Sequence, residues 1–167
     1  RRGGRVRCKC RACSLGKITT ASLPKTSTKV LLNTTANSEV CTDTIGKITP
    51  PSYKGDIYIQ TFLDTTTGFG STINMKHKSQ AASAIIMYLG WAKTQQGSEV
   101  KRVRGDNAGE GTGGEVREYC ISRGIEVRST APYTSLQNPV ERTNRTVCTT
   151  ARTMMIHAAV PAIFWCD

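Results

Sequence analysis

Val103-Arg104-Gly105-Asp106-Asn107-Ala108-Gly109-Glu110 reads as a short apolar strand running into an acidic residue and a glycine-bearing loop. About one helix and one strand later comes a partner stretch, Gln137-Asn138-Pro139-Val140-Glu141-Arg142-Thr143-Asn144-Arg145-Thr146. There a carboxylate stands in the first turn of a long helical pattern. One carboxylate at a strand end and another at a helix start can share a divalent metal, and the neighbouring segments gain their meaning from that pair.

Working outward, residues 40–45 and 56–63 are β-branched and aromatic strands, the second entered through Lys54-Gly55. Thr65-Thr66-Thr67-Gly68 supplies a turn into a third strand over 69–75, so the three strands form an antiparallel meander. Ser79 is the expected N-cap of a helix in which Ala82, Ile85, Ile86 and Leu89 recur at helical spacing to about Gln95. A strand over 100–104, a helix over 115–123 closed by Gly124, and a strand over 125–128 follow. In the last helix Val140, Val147, Ala151, Met154 and Ala158 share a face, Met154 and Met155 serve packing, and Pro161 ends it. This order predicts an α/β, ribonuclease-H-like three-layer fold with a mixed five-stranded sheet. Fold order does not by itself establish chemistry.

At 167 residues the chain fits one domain with a tail. Its formal charge of +11 is unevenly placed: residues 1–30 hold nine Lys or Arg and no acid, against 14 basic and 12 acidic residues in the remainder. Residues 1–38 are therefore expected to be a basic arm and linker, and residues 39–167 the core. Such an arm is either a solvated tail or a phosphate-contacting segment. No apolar run reaches the roughly 20 residues that cross a bilayer and no signal peptide opens the chain, so a soluble, intracellular protein without a membrane partner is expected. Seven cysteines without a framework suit a reducing compartment. The absence of an initial Met, with an abrupt stop at Asp167, suggests a fragment of something longer. Cys10 and Cys13 form a C-x-x-C preceded by Cys8, half of a zinc site with no fourth ligand in view, and unliganded thiols suit this chain by itself better.

Three carboxylates fall where this architecture can gather them: Asp43 on the first strand, Asp106 past the fourth, and Glu141 on the last helix. Hard oxygen ligands suit Mg²⁺ or Mn²⁺, and two such ions can activate an attacking oxygen and stabilise a leaving one at a phosphodiester. Each residue also has a plainer reading. Asp106 in Gly-Asp-Asn-Ala-Gly can be an Asx turn, Glu141 can serve the helix dipole, and Asp56 and Asp64 compete with Asp43 for the first position.

These residues resemble the integrases of copia-type retrotransposons. Asp106-Asn107-Ala108-Gly109-Glu110 is similar to the family's S-D-N-G-G-E, and residues 132–146 are similar to its P-x-T-P-Q-Q-N-G-V-A-E-R-x-N-R-T. Cys41-Thr42-Asp43-Thr44-Ile45-Gly46 resembles H-x-D-x-x-G-P, and Thr61-Phe62-Leu63-Asp64 resembles T-F-I-D-D. Lys76-His77-Lys78-Ser79 resembles K-x-K-S, and Ala151-Arg152-Thr153-Met154-Met155 resembles A-R-x-M-L. Pro161-Ala162-Ile163-Phe164-Trp165 resembles L-P-x-x-F-W. Cys10-Arg11-Ala12-Cys13-Ser14-Leu15-Gly16-Lys17 resembles the C-x-x-C-x-x-G-K that ends the zinc-binding segment before the core. The motifs follow the family's order along nearly the whole chain.

The resemblance implies a metal-dependent polynucleotidyl transferase that trims the 3′ ends of element DNA and joins them to target DNA in the nucleus, as a homo-oligomer. It implies Asp43, Asp106 and Glu141 as the catalytic triad holding two Mg²⁺ or Mn²⁺ ions, with Asp64 outside it. Cys10 and Cys13 would complete a Zn²⁺ site with ligands upstream of Arg1. Asn107, Gln137, Asn138, Arg142, Arg145 and Arg152 are the implied DNA contacts. Along the last helix Glu141, Arg145 and Arg152 lie in a narrow arc with Arg142 beside them, which is either a phosphate-contacting face or a solvated one.

The chain departs from the family pattern in loops. It has one residue fewer just before Glu141, Ala108 for the first Gly, Lys47 for a Pro, and Thr65-Thr66-Thr67-Gly68 for D-x-S-R. One residue turns a helix by about 100°, so a loss absorbed in the loop keeps Glu141 facing the aspartates and a loss inside the helix turns it away. Two further functions stand beside the enzyme: a non-catalytic integrase relic that only binds nucleic acid, and a thiol-zinc module with an attached structural domain.

Overall fold

A computed structural model of the chain describes residues 35–105, 113–129 and 139–166. Strands β1 (Val40–Gly46), β2 (Tyr58–Asp64) and β3 (Gly70–Met75) precede helix α1 (Ala81–Gln95). Strand β4 (Arg102–Gly105), helix α2 (Gly114–Ser122), strand β5 (Glu126–Ser129) and helix α3 (Pro139–Ala158) follow. The strands form one sheet in the order β3-β2-β1-β4-β5. β1, β2 and β3 pair antiparallel, whereas β1, β4 and β5 pair parallel. This is the mixed five-stranded α/β sheet expected of a ribonuclease-H-like core.

Alternation along β1 assigns the layers. Val40 joins Phe62, Ile85, Tyr88, Leu89, Val103, Val116 and Cys120 in the main core, which places α1 and α2 on one face. Its neighbour Cys41 points the other way and packs with Leu63 and Val140, which places α3 on the opposite face. β2 is covered on both sides, and Ile59 through Asp64 are accordingly all buried. On α1 the buried residues Ala81, Ala84, Ile85, Tyr88, Leu89 and Ala92 follow the three-and-four spacing of a helix with one apolar stripe. Tyr88 stacks on Phe62 with ring centroids 4.1 Å apart. Burial, and then the nearby charge of Asp64, push the Tyr88 phenol up to about 12.

Several boundaries differ from expectation for local reasons. β2 begins at Tyr58, because Asp56 closes a turn in which the Ser52 hydroxyl donates to its carboxylate at 3.1 Å and the Ser52 N–H to its carbonyl at 2.9 Å. Ser79 does not cap α1. A 3₁₀ turn, Lys78–Gln80, precedes the helix, and the Gln80 amide oxygen accepts the N–H groups of Lys76 at 2.8 Å and His77 at 2.9 Å. Met154 is not packed as expected: it is 65% exposed, in the C-terminal half of α3, where burial falls off from fully buried Val140 at the start of the helix. α3 ends at Ala158, before Pro161, with Ala159 in the left-handed region at φ 52°. Gly124, at φ 68°, closes α2 as expected. The Ile125 N–H reaches back to the Cys120 carbonyl at 2.8 Å.

Two further features hold the ends of the sheet. Asn37, buried and left-handed at φ 58°, receives the chain ahead of β1. Its N–H donates to Asp64 Oδ2 at 3.1 Å, its Nδ2 to Gln96 Oε1 and Ser98 Oγ at 2.7 Å each, and its carbonyl accepts Lys101 N–H at 3.2 Å. At the far end, Trp165 Nε1 donates to the Pro50 carbonyl at 3.0 Å and the Tyr53 N–H to the Ile163 carbonyl at 2.9 Å. Among the described residues, no helix is long and apolar enough to cross a membrane.

Gly46, the last residue of β1, pairs with Tyr58. A Cβ there would lie 2.1 Å from the Tyr58 ring. Gly46→Ala is therefore expected to destabilise the fold by about 1–3 kcal/mol, read as a lower urea midpoint at unchanged m-value.

Candidate active site

Asp43 occupies the middle of β1 on the same face as Cys41, towards α3. Its carboxylate is held from two sides. The Asn144 Nδ2 donates to Oδ2 at 2.7 Å, and the Thr44 N–H donates to Oδ1 at 2.9 Å. Behind it, on the α1 face, buried Gln60 ties the strand in place. Its amide donates to Thr42 Oγ1 at 2.5 Å and to the Asp43 carbonyl at 3.1 Å, while Thr44 Oγ1 donates to its amide oxygen at 2.7 Å. This network fixes the backbone on which the carboxylate stands.

Helix α3 sets the other half of the site. Val140 is fully buried over Cys41 and Leu63, and Asn144, one turn on, meets Asp43. Thr143 leans to the β3 side, where a Cβ on Gly70 would lie 3.8 Å from its Cγ2. Glu141 stands about 160° around the helix from Thr143 and therefore leans to the opposite flank, the β4 side of β1. It is exposed and lies in the first turn, where the helix dipole favours an acid. β4 ends at Gly105, the residue before Asp106, and pairs parallel with β1, Val40 opposite Val103 and Cys41 opposite Arg104.

Asp106, Asn107, Gln137, Asn138, Cys10 and Cys13 lie outside the described residues. Among the described residues no three His, Cys, Asp or Glu side chains gather as a metal group; of the expected triad these include Asp43 and Glu141. The donors present, two carboxylates, are hard oxygens that fit Mg²⁺ or Mn²⁺ better than a thiolate-preferring metal. Arg142, Arg145 and Arg152 are all exposed on α3, with Arg145 and Arg152 within about 40° of Glu141 around the helix. On β4 and β5, Val103 and Val127 point to the α1 and α2 side, so Arg102, Arg104 and Arg128 leave the sheet on the α3 side. Arg104 pairs with Glu39 at 2.7 Å, and Glu126 lies between Arg128 at 2.8 Å and Arg102 at 2.9 Å.

The competing aspartates are accounted for structurally. Asp64 follows Leu63 on β2 and so points to the α1 face, away from Asp43. In register it sits opposite Val40, three residues or roughly 10 Å along β1 from Asp43. Asp56 belongs to the Ser52 turn. Asn144 and Gln60 were not singled out by the sequence. The signal for Asn144 is its i+4 spacing from Val140 on the sheet-facing side of α3, and for Gln60 a polar residue inside a strand buried on both faces.

The sequence profile of the integrase core domain matches residues 33–135. Over 127 residues, 75% of the chain, the sequence is 35% identical to the retrovirus-related Pol polyprotein from transposon TNT 1-94 of Nicotiana tabacum. Over 109 residues, 65% of the chain, it is 27% identical to the corresponding polyprotein from transposon RE2 of Arabidopsis thaliana. The matched stretch is 10% of the first polyprotein and 7% of the second, so the chain spans a small part of these relatives. Among solved structures it resembles a chain in the cryo-EM structure of the simian T-cell lymphotropic virus intasome in complex with PP2A regulatory subunit B56 gamma. The TM-score is 0.56 at 20% identity, covering 76% of this chain and 44% of that one, a likeness of fold. With more than half of its length matched by the family profile, the chain belongs to the integrase core domain family.

Proposed function

We propose that the chain is the catalytic core of a copia-type retrotransposon integrase, a divalent-metal-dependent polynucleotidyl transferase that trims the 3′ ends of element DNA and joins them to target DNA. The observation that carries this reading is the phase of α3. Asn144 on Asp43 and Thr143 over Gly70 leave Glu141 leaning towards β4, the strand that leads to Asp106. That phase supports the shorter segment before Glu141 being absorbed ahead of Pro139, outside the helix.

Asp43, Asp106 and Glu141 would hold two Mg²⁺ or Mn²⁺ ions, which supply activation of the attacking oxygen and stabilisation of the leaving one. The chain's own residues prepare the rest. Asn144 and the Thr44 N–H keep the Asp43 carboxylate aimed. Arg145 and Arg152, with Arg142 beside them, share Glu141's flank and would take phosphates on either side of the reacting one. Asn107, Gln137 and Asn138 would complete these contacts, and the basic residues ahead of position 30 would add salt-sensitive affinity. In the joining step the 3′ oxygen bonds to the target phosphorus, the target's own P–O3′ bond breaks, and the attacking hydroxyl's proton passes to solvent. Further copies of the chain are the natural partners for holding two element ends, and the nucleus is the compartment where this reaction has its target. Cys10 and Cys13 would close a Zn²⁺ site with ligands from a preceding segment.

The test is strand transfer of a duplex with a recessed 3′-hydroxyl end, in Mn²⁺. Joined product that disappears with Asp106→Asn, while DNA affinity stays within about twofold, is the expected result. Salt-sensitive binding with no joining by the unmodified chain would replace this reading with that of a nucleic-acid-binding relic.

A further inference from the structure

Two buried polar atoms beside Asp43, Thr61 Oγ1 and Asn144 Oδ1, have no hydrogen-bond partner among the described residues. Thr61 is 0% exposed and is Asp43's partner across the β1–β2 ladder. Their side chains therefore leave the sheet on the same face, about 5 Å apart. Helix α3 lies above them in step with the ladder. Val140 covers Cys41 and Leu63, which are themselves partners. Asn144 comes one helical turn later, a rise of about 6 Å that nearly matches the roughly 7 Å of two strand residues. Asn144 thus stands over the Asp43–Thr61 pair as Val140 stands over the Cys41–Leu63 pair. A hydroxyl and an amide oxygen, one able to donate and the other only to accept, share this buried space.

An asparagine amide can sit either way round, and only one way puts Nδ2 on the Asp43 carboxylate. We propose that Thr61 is a positioning residue for Asp43: its hydroxyl donates across one water to Asn144 Oδ1, and so holds Nδ2 on the carboxylate. Thr61 does not meet DNA in this role. It acts through Asn144, and the inference rests on the reading of Asp43 as part of a phosphodiester-transferring site.

The test compares Thr61→Val, which keeps the β-branched shape, with Thr61→Ser, which keeps the hydroxyl, each alone and combined with Asn144→Ala in the full chain. Thr61→Val is expected to lower kcat for strand transfer about tenfold at unchanged KM for the DNA end, and Thr61→Ser to recover most of that loss. On the Asn144→Ala background, Thr61→Val is expected to change nothing further, and the two substitutions are expected to shift the urea midpoint by less together than the sum of each alone. A Thr61→Val chain with wild-type kcat, or one whose loss persists in full on the Asn144→Ala background, overturns the proposal. Should the unmodified chain join no DNA, the proposed function fails, and the unfolding cycle decides this inference by itself: non-additive midpoints uphold it and additive midpoints end it.

Discussion

Asp43→Asn is expected to lower strand transfer by on the order of 10³-fold or more while leaving the fold and the DNA affinity nearly unchanged. The fold survives because the carboxamide has the carboxylate's shape and its oxygen still accepts the Thr44 N–H. Two things are lost. The negative charge that would hold a cation disappears, and the new amide nitrogen faces the Asn144 Nδ2, donor against donor, where the carboxylate accepted at 2.7 Å. DNA affinity is expected to stay because, on the proposed function, Arg142, Arg145 and Arg152 and the basic residues ahead of position 30 would carry it. Single-turnover joining in Mn²⁺, binding anisotropy and thermal unfolding measured on one preparation separate these effects. Joining by Asp43→Asn at the unmodified rate would remove Asp43 from the site.

The second large effect belongs to an aspartate outside the site. Asp64→Ala is expected to cost about 2–4 kcal/mol of stability, more than Gly46→Ala, because it strands several donors at once. The buried Asp64 carboxylate accepts the Thr67 hydroxyl at 2.6 Å and the N–H groups of Thr66 at 2.9 Å, Asn37 at 3.1 Å and Thr67 at 3.4 Å. Burial pushes its carboxyl up, but these hydrogen bonds outweigh burial, led by that from the Thr67 hydroxyl, and hold it below the usual aspartate range. The folded state therefore favours the ionised form. Its contribution is fully present above the unfolded value near about 3.9 and is lost as pH falls through the lower folded value. Urea midpoints should stay level from neutral pH to about pH 5 and fall below about pH 4, with a shallower fall in Asp64→Ala. An equally steep acid loss in that variant would assign the effect to another group.

Much of this was legible in the sequence. Strand and helix periods, together with the glycine at position 124, determine the order of elements, and the motifs around Asp43, Asp106 and Glu141 point to the family. What was illegible depends on long-range contact. Asn144 meets Asp43 across 101 residues of chain, and neither residue carries a local mark of the other. The pairing of Thr61 with Asp43 depends on ladder register, which is set by where the β1–β2 connection lets the strands meet. Met154 lies on the same side of α3 as Val140, yet Val140 is the one buried residue described on that helix and Met154 is 65% exposed, so how far the sheet cover extends along α3 could not be read from its periodicity. Ser79 has the right chemistry for a cap but lies inside the Lys78–Gln80 turn, and Gln80, which stands at the cap position, turns its amide oxygen back to the N–H groups of Lys76 and His77.

Asn37 acts as a strain relief, like the clamp where a cable enters a housing. Its bonds run to the end of β2, to the residues that close α1, and to the approach to β4. A pull arriving along the chain from ahead of Thr35 is divided among those three anchors before it reaches β1. A load on the chain entering at Thr35 is therefore spread over the end of β2, the close of α1 and the approach to β4, and does not arrive at Val40 alone.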